Sequence, residues 1–335
     1  MKFRDKIFNE NVFEKYLRTL PSTKENSMIK NGLFTVVNKY KSKMSEQAGG
    51  YFVTEPIKGR IGGTPVNYDG NTDIPEGSER PTYKQTKICY GRANAWGEYD
   101  FSTEITGENF KAEAQEVKDY WDGERQKTVL SILKGIFSMA DGVNGQFVEK
   151  HTYEVEGNLD ADSMNRASQK ALGDKKQALQ MMFTHSAVST NLEGLNLINF
   201  LKYTDADGIE RDLTIGTYNG KLVVVDDDMP VEEDETGALY TSYVFKKGFF
   251  EYEDLGVVVP SEVVRDAKTK GGKNELISRI REMIVPTLIS YKETSKISPE
   301  NTDFEKGANW ELVNDGNGVY VDDKLIPVVR IISRG

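Results

Sequence analysis

The sequence predicts an α+β fold assembled from three dissimilar parts, and three stretches of its 335 residues predict it. From Gly49 to Thr106 the chain alternates, is broken by glycines and holds few apolar residues. From Thr106 to Asp141 it follows one long helical period. Beyond that, short strand-like and helix-like runs alternate, which is the pattern of a central sheet with helices beside it.

The first part reads as a long β-excursion. Gly59, Gly62, Gly63, Gly70 and Gly77 punctuate it, and Asn67-Tyr68-Asp69-Gly70-Asn71 carries an Asp-Gly turn signal. The returning limb, Thr82 to Tyr90, is rich in Thr, Tyr and Ile, as strands are. A segment of this length without a core of its own is not expected to stand alone, and so is expected to lie on another subunit.

The second part is the clearest element. Thr106 is placed to cap a helix whose first turn holds Glu108. Phe110, Ala114, Val117, Trp121, Thr128, Ile132, Ile136 and Met139 follow at helical spacing, with Val129, Leu133 and Phe137 widening the stripe and Asp141-Gly142 ending it. At ~1.5 Å per residue such a helix is about 50 Å long, more than a compact domain needs, and reads as a strut.

In the third part, Ser163–Leu172 reads as a helix closed near Gly173, and Ala178–Thr184 as a buried strand. Ser186 is placed to cap a helix carrying Val188, Leu192, Leu195 and Ile198, and Lys221–Val225 reads as a second buried strand. Tyr240–Phe245 and Phe249–Tyr252 are expected to pair around Lys246-Lys247-Gly248, and Asn309–Val313 to pair with Leu325–Ile332. Ahead of the excursion, Val12, Phe13, Tyr16, Leu17 and Leu20 have helical spacing up to Pro21, and Lys30, Lys39, Lys41 and Lys43 make the following stretch basic. That opening reads either as an arm over neighbouring copies or as a solvated amphipathic segment.

Composition narrows the function. Acidic residues outnumber basic ones 53 to 43, for a net charge of −10, which disfavours a direct grip on nucleic acid. The single cysteine, Cys89, cannot form an intrachain disulfide, and two histidines, His151 and His185, cannot build a His-rich centre. Met1 to Glu10 is charged and lacks an apolar signal core, and no run of about 18 apolar residues occurs, so a soluble intracellular product is expected.

Four stretches invite a chemical reading and are better explained otherwise. Asp226-Asp227-Asp228 would alternate in direction on an extended chain, so an acidic turn at a strand end outweighs a metal site. His185-Ser186 are adjacent, which rarely allows a catalytic hydrogen bond, and Ser186 fits better as a cap. Cys89 reads as a small buried residue of a strand, and Gly59 to Gly63 lacks the Lys-Ser/Thr of a phosphate loop. Trp96 and Trp121 are expected at or near contacts, with packing inside the subunit equally open.

Three blocks of residues resemble the major capsid proteins of tailed bacteriophages, with their Hong-Kong-97-like fold. Gly63-Thr64-Pro65-Val66-Asn67-Tyr68-Asp69-Gly70 with Thr72-Asp73-Ile74 resembles the tip of the family's extended loop. Gly91-Arg92-Ala93-Asn94-Ala95-Trp96, Asp100-Phe101-Ser102 and Ile105-Thr106-Gly107, running on to Tyr120-Trp121 and Ser131 to Phe137, are similar to its passage into the spine helix. Met182 to Ser186, Val223 to Asp227 with Met229-Pro230, Asn309-Trp310-Glu311 and Ile326 to Arg330 resemble its sheet domain and closing segment. The seven acidic residues between Asp226 and Glu235 depart from the family pattern, and Met1 to Ser45 matches it weakly.

The resemblance implies an N-terminal arm (1–48), an extended hairpin loop (49–106), a peripheral domain on the spine helix (107–160) and an axial sheet domain (161–255). A return through the peripheral domain (256–295) and a closing segment (296–335) complete it. It implies a structural protein without enzymatic activity or cofactor, assembling through hexamers and pentamers into an icosahedral head that encloses double-stranded DNA without sequence-specific binding. Inter-subunit contacts are expected at Arg60, Tyr68, Asp69, Arg92 and Trp96. The implied partners are further copies of the chain, a separate scaffolding protein, a portal and decoration proteins, with no membrane. The implied location is the virion, and the host cytoplasm during assembly. An encapsulin-like nanocompartment shell is the alternative on the same fold.

Overall fold

The computed structural model describes residues 32–46, 50–74, 76–77, 80–100, 110–204, 210–235 and 237–335. The chain enters through β1 (Phe34–Val36) and α1 (Tyr40–Glu46). β2 (Phe52–Lys58) and β3 (Thr82–Ile88) form a hairpin, and β4 (Tyr90–Tyr99) follows after Cys89 alone. Next come α2 (Phe110–Ile136), α3 (Gly142–His151), β5 (Thr152–Asn158), α4 (Ser163–Leu172), β6 (Met181–Thr184) and α5 (Ser186–Gly194). β7 (Ile198–Thr204), β8 (Glu210–Tyr218), β9 (Lys221–Val225), β10 (Val231–Asp234) and β11 (Gly237–Phe245) succeed them. The chain then runs through β12 (Phe250–Asp254), β13 (Ser261–Asp266), β14 (Lys273–Pro286) and β15 (Ile289–Tyr291). The one-turn helix α6 (Asn301–Phe304), β16 (Trp310–Leu312) and β17 (Val328–Arg334) end it.

Two sheets organise these elements. The larger has eight strands in the order β5-β17-β11-β6-β9-β8-β7, with β10 beside β11. Its residues alternate between two cores, as the pleat requires. On one face Met182, Val244, Val329 and Ile331 meet Met164, Ala167, Ala171 and Leu172 of α4. These α4 positions recur at i, i+3, i+7 and i+8, the period that lays a helix on a sheet. On the other face Met181, Phe183, Tyr243, Phe245 and Val328 meet Val129, Ile132, Leu133 and Ile136 at the end of α2.

The smaller sheet has five strands and is built around β14. β4 pairs along Lys273 to Glu282, β13 along Lys273 to Ser278 and β12 along Glu282 to Pro286, so β4 and β13 take opposite edges of β14. β1 adds to β12 in parallel. The 27 residues of α2, about 40 Å at ~1.5 Å per residue, run from this sheet into the core of the larger one.

Several expectations are corrected. The excursion from Gly49 to Thr106 does not run as one piece: β4 turns back into the smaller sheet, because Tyr90 is buried there and Trp96 packs on Tyr120 and Trp121. The capping residues Thr106 and Glu108, and the helical spacing between Val12 and Leu20, lie outside the described residues. α2 stops at Ile136, and Asp141-Gly142 opens α3 instead of closing α2: the Asp141 carbonyl accepts from Asn144 and Gly145, and Gly142 takes φ +48°. Residues Gly173–Ala178 form a 3-10 turn, so the strand read from Ala178 begins at Met181.

The two predicted strand pairs are also re-partnered. β11 lies between β17 and β6, whereas β12 lies between β1 and β14. The run that looked like a hairpin crosses from one sheet to the other. Phe249 is 5.4 Å from Phe245 and 4.9 Å from Phe250, ring to ring, and fills the core between them. β16 pairs with β15, and β17 with β11 and β5, since Trp310 is drawn onto Tyr291 at 5.0 Å. Of the expected α5 stripe, Val188 and Leu192 are buried, but Leu195 is exposed past the helix end and Ile198 belongs to β7.

The junction of α2 with α6 and β16 is tight at Gly135. A Cβ there would strike the Phe304 carbonyl oxygen and the Trp310 indole, whose Nε1 donates to that carbonyl at 2.7 Å. Glycine is ordinarily poor inside a helix, so alanine would be favoured by propensity. We expect the opposite here: Gly135→Ala should lose about 1–3 kcal/mol in denaturant unfolding, the cost of overpacking.

Candidate assembly surfaces

Beyond its buried base, the hairpin has little of its own chain to pack against among the described residues. β2 and β3 pair over seven residues, from Phe52↔Ile88 to Lys58↔Thr82, and the Gly59 amide then donates to Pro81 O at 2.7 Å. Past that bond the described residues of the tip are exposed, with Ile61 at 82%, Tyr68 at 91% and Ile74 at 77% of their full area. The turn itself is ordered from within. Asp69 accepts from the Asn71 and Thr72 amides at 2.9 and 2.7 Å, and these bonds hold its carboxyl down at about 2. The result is a small hydrogen-bonded turn with Tyr68 exposed beside it.

The five residues expected at contacts divide into two groups. Arg60, Tyr68 and Asp69 are all exposed in the tip segment. Arg92 and Trp96 lie on β4 and are engaged inside the chain. The Arg92 guanidinium donates to Asn301 Oδ1 at 3.0 Å and lies 5.0 Å over the Tyr90 ring, where burial lowers its pKa. Trp96 meets the edges of Tyr120 and Trp121 at 5.2 and 6.3 Å.

Two charged clusters that sequence reading missed hold these parts in place. At the hairpin base, Lys87 is almost fully buried and its Nζ lies 2.8 Å from Glu55 and 3.0 Å from Glu251. Lys43 also pairs with Glu55, and Lys39 stands 3.4 Å from Glu251. Burial alone would push the Glu55 carboxyl up, but hydrogen bonds from Lys43 and Lys87 bring it down to about 2. Under the helix, the Glu282 carboxylate is 1% exposed and receives Arg125 Nε at 2.8 Å, Tyr252 Oη at 3.0 Å and Tyr90 Oη at 3.2 Å. Burial would lower the Arg125 pKa, yet the adjacent carboxylate holds it well above its usual value. Lysines and glutamates on a strand read as solvent-facing, so neither cluster carries a local signal.

The acidic turn after β9 acts as a brace. Gln126 of α2 donates to Asp226 at 2.6 Å and to Asp228 at 3.0 Å, tying the helix to the larger sheet. Among the described residues no group of His, Cys, Asp or Glu is arranged to hold a metal ion, and no helix is long and apolar enough to cross a membrane. His185, not Ser186, caps α5: its Nδ1 accepts from the Ala187 amide at 3.1 Å, which leaves that lone pair unavailable to activate the Ser186 hydroxyl 3.5 Å away. Cys89 is 2% exposed and packs with Tyr40, Met44 and Val53.

Two outcomes follow from these clusters. Arg125→Met should cost about 3–5 kcal/mol in unfolding, because it strands a buried carboxylate. The Glu55 pairing stabilises the fold fully above the ordinary carboxyl value of 4.5 and loses that contribution as pH falls through about 2, since the folded-state pKa is the lower one. Wild type should therefore lose more stability across that window than Glu55→Gln, measured by urea unfolding at stepped pH.

No family model matches the chain. The major capsid protein of Bacillus phage SPP1 is 29% identical over 305 residues, covering 90% of this chain and 90% of that protein. Among solved structures, the capsid of Ralstonia phage GP4 superposes with a TM-score of 0.56 at 10% identity, covering 99% of this chain and 96% of that one. The capsid asymmetric unit of cyanophage Pam1 gives 0.55 at 8% identity over 99% and 97%, and the head of Helicobacter pylori bacteriophage KHP40 gives 0.54 at 11% over 100% and 99%. Sequence and fold together thus give the chain the Hong-Kong-97-like architecture of bacteriophage capsids and a homologue among their major capsid proteins.

Proposed function

We propose that the protein is the subunit from which an icosahedral phage head is built, assembling with copies of itself through hexamers and pentamers. The observation that carries this reading is the hairpin tip, whose apolar side chains Ile61, Tyr68 and Ile74 are exposed around a turn hydrogen-bonded from within. A patch on a projecting arm that meets a different patch on the next copy is a heterologous contact, and such contacts close into rings and shells.

The eight-stranded sheet suits the ring-forming part, the five-stranded sheet with α2 the capsomer edge, and the hairpin the overlap onto a neighbour. The chain's role is structural, and it encloses double-stranded DNA without reading its sequence. The net charge of −10 supports this, since a wall that does not grip phosphate leaves packed DNA mobile. A separate scaffolding protein, a portal and decoration proteins complete the set of partners, with assembly in the host cytoplasm.

Electron microscopy of the purified protein, alone and co-expressed with its neighbouring genes, tests this. Hollow shells, or pentamers and hexamers that close with a scaffold, are expected, and a monomer that forms no rings in either setting overturns the reading. The combined change Ile61→Asp, Tyr68→Asp and Ile74→Asp should leave subunit stability within about 0.5 kcal/mol per site, as exposed positions do, while abolishing closed shells.

A further inference from the structure

We propose that α1 is a latch that couples the N-terminal arm to the orientation of the β2–β3 hairpin, through the buried ammonium of Lys87 shared by Tyr40, Glu55 and Glu251. Three segments distant in sequence meet there. Tyr40 belongs to α1, Glu55 and Lys87 to the two limbs of the hairpin, and Glu251 to β12. Lys87 donates to Tyr40 Oη, and Tyr40 in turn donates to Glu251 at 2.5 Å. The Lys39 and Lys87 ammonium groups lie 4.8 and 4.7 Å from the centre of the Tyr40 ring. Lys39 and Lys43, the other cations around Glu55, also come with the α1 segment.

The two hairpin limbs are gripped by different neighbours. β3 is tied to the body by Gln85, whose Nε2 donates to Pro286 O and Ile289 O at 3.0 Å each, and by the Lys84 amide, which donates to Asn314 O at 2.8 Å. β2 has β3 as its single strand partner in the sheet. Ile57 of β2 packs on the main core, and at the other end of the strand the hold is shared with α1: Val53 packs with Tyr40 and Met44, and Glu55 is met by Lys43 and Lys39. With α1 gone, the Val53–Glu55 stretch of β2 would lose both, and the hairpin could shift on the anchors of β3 and Ile57.

α1 can be released as a unit. Its seven residues are too few to stay helical in water without tertiary contacts. Its first turn is held by one carboxylate: Glu253 accepts from the Lys39, Tyr40 and Lys41 amides at 3.0, 2.8 and 2.9 Å. β1, immediately before it, is three residues paired in parallel to β12. A partner that draws on the arm therefore acts on a short element with two states, docked or melted, and the docked state sets the hairpin. This consequence for assembly rests on the shell reading; the coupling itself does not.

Hydrogen exchange followed by mass spectrometry on the unassembled subunit tests it, with Tyr40→Phe and Glu253→Gln as separate variants. Glu253 touches α1 and no hairpin side chain in the bonds described, so it perturbs the latch from one side only. The expected result is that peptides covering residues 40–46 and 52–58 exchange at least tenfold faster together, while β14 keeps its wild-type rate. Faster exchange in α1 with β2 unchanged overturns the coupling, and so does an α1 that keeps its protection in both variants. If Tyr40→Phe loses protection in β14 as well, the subunit has been damaged globally and Glu253→Gln decides. Failure on any of these grounds leaves the shell reading standing, because no shell is formed in the experiment.

Discussion

The carboxylate of Glu282 is the interaction on which the long helix and the smaller sheet depend. It is withdrawn from water, and a lone buried charge costs several kcal/mol. Its partners come from three elements at once, Arg125 from α2, Tyr90 from β4 and Tyr252 from β12, and meet it on β14. A bond network of this kind has one satisfied arrangement, so it fixes how far α2 can slide or turn on the sheet. The far end of α2 is fixed by apolar packing instead, with Ile132, Leu133 and Ile136 fully buried against the larger sheet. Clamped near its middle and at its C-terminal end, with Gln126 on Asp226 and Asp228 bracing it beside the first clamp, α2 carries the geometry of one sheet to the other.

The sequence made the periodic elements readable and hid the pairings. α4 and β9 fall where the periodicity put them, because each is bounded by glycine or a turn and buries one regular stripe. Strand partners were less readable. Phe249 and Phe250 looked like the return of a hairpin, but an apolar run between two sheets fills the core that both share, and nothing local distinguishes the two cases. The tip turn was visible in Asp69-Gly70, whereas the clamp at the hairpin base was not. Lys87 looks like an exposed strand lysine until α1 and β12, from 47 residues before it and 164 after, close over it. Long-range electrostatics of this type leave no pattern within any window of sequence.

Docked on a neighbour as proposed, the hairpin would combine two requirements that usually conflict. A surface that must meet another chain should be apolar and ordered beforehand, yet an apolar projection on a free subunit invites indiscriminate association. The tip keeps its apolar residues few and spaced, at Ile61, Val66, Tyr68 and Ile74, among Arg60, Asp69 and Asp73. Order comes from backbone bonds to Asp69 and not from packing, so rigidity is obtained without enlarging the apolar area.

The position of β17 in the larger sheet bears on synthesis. It lies inside the sheet, parallel to β5 and antiparallel to β11, although every other strand of that sheet precedes it in the chain. Until Val328 to Arg334 have emerged, β5 and β11 each present an unpaired edge, and α4 has no Val329 or Ile331 to cover. The larger sheet therefore closes only after all of its other strands have been made. Translation order thus leaves two strand edges of a nascent chain open on a crowded polysome, and a product cut short before Val328 would keep them open.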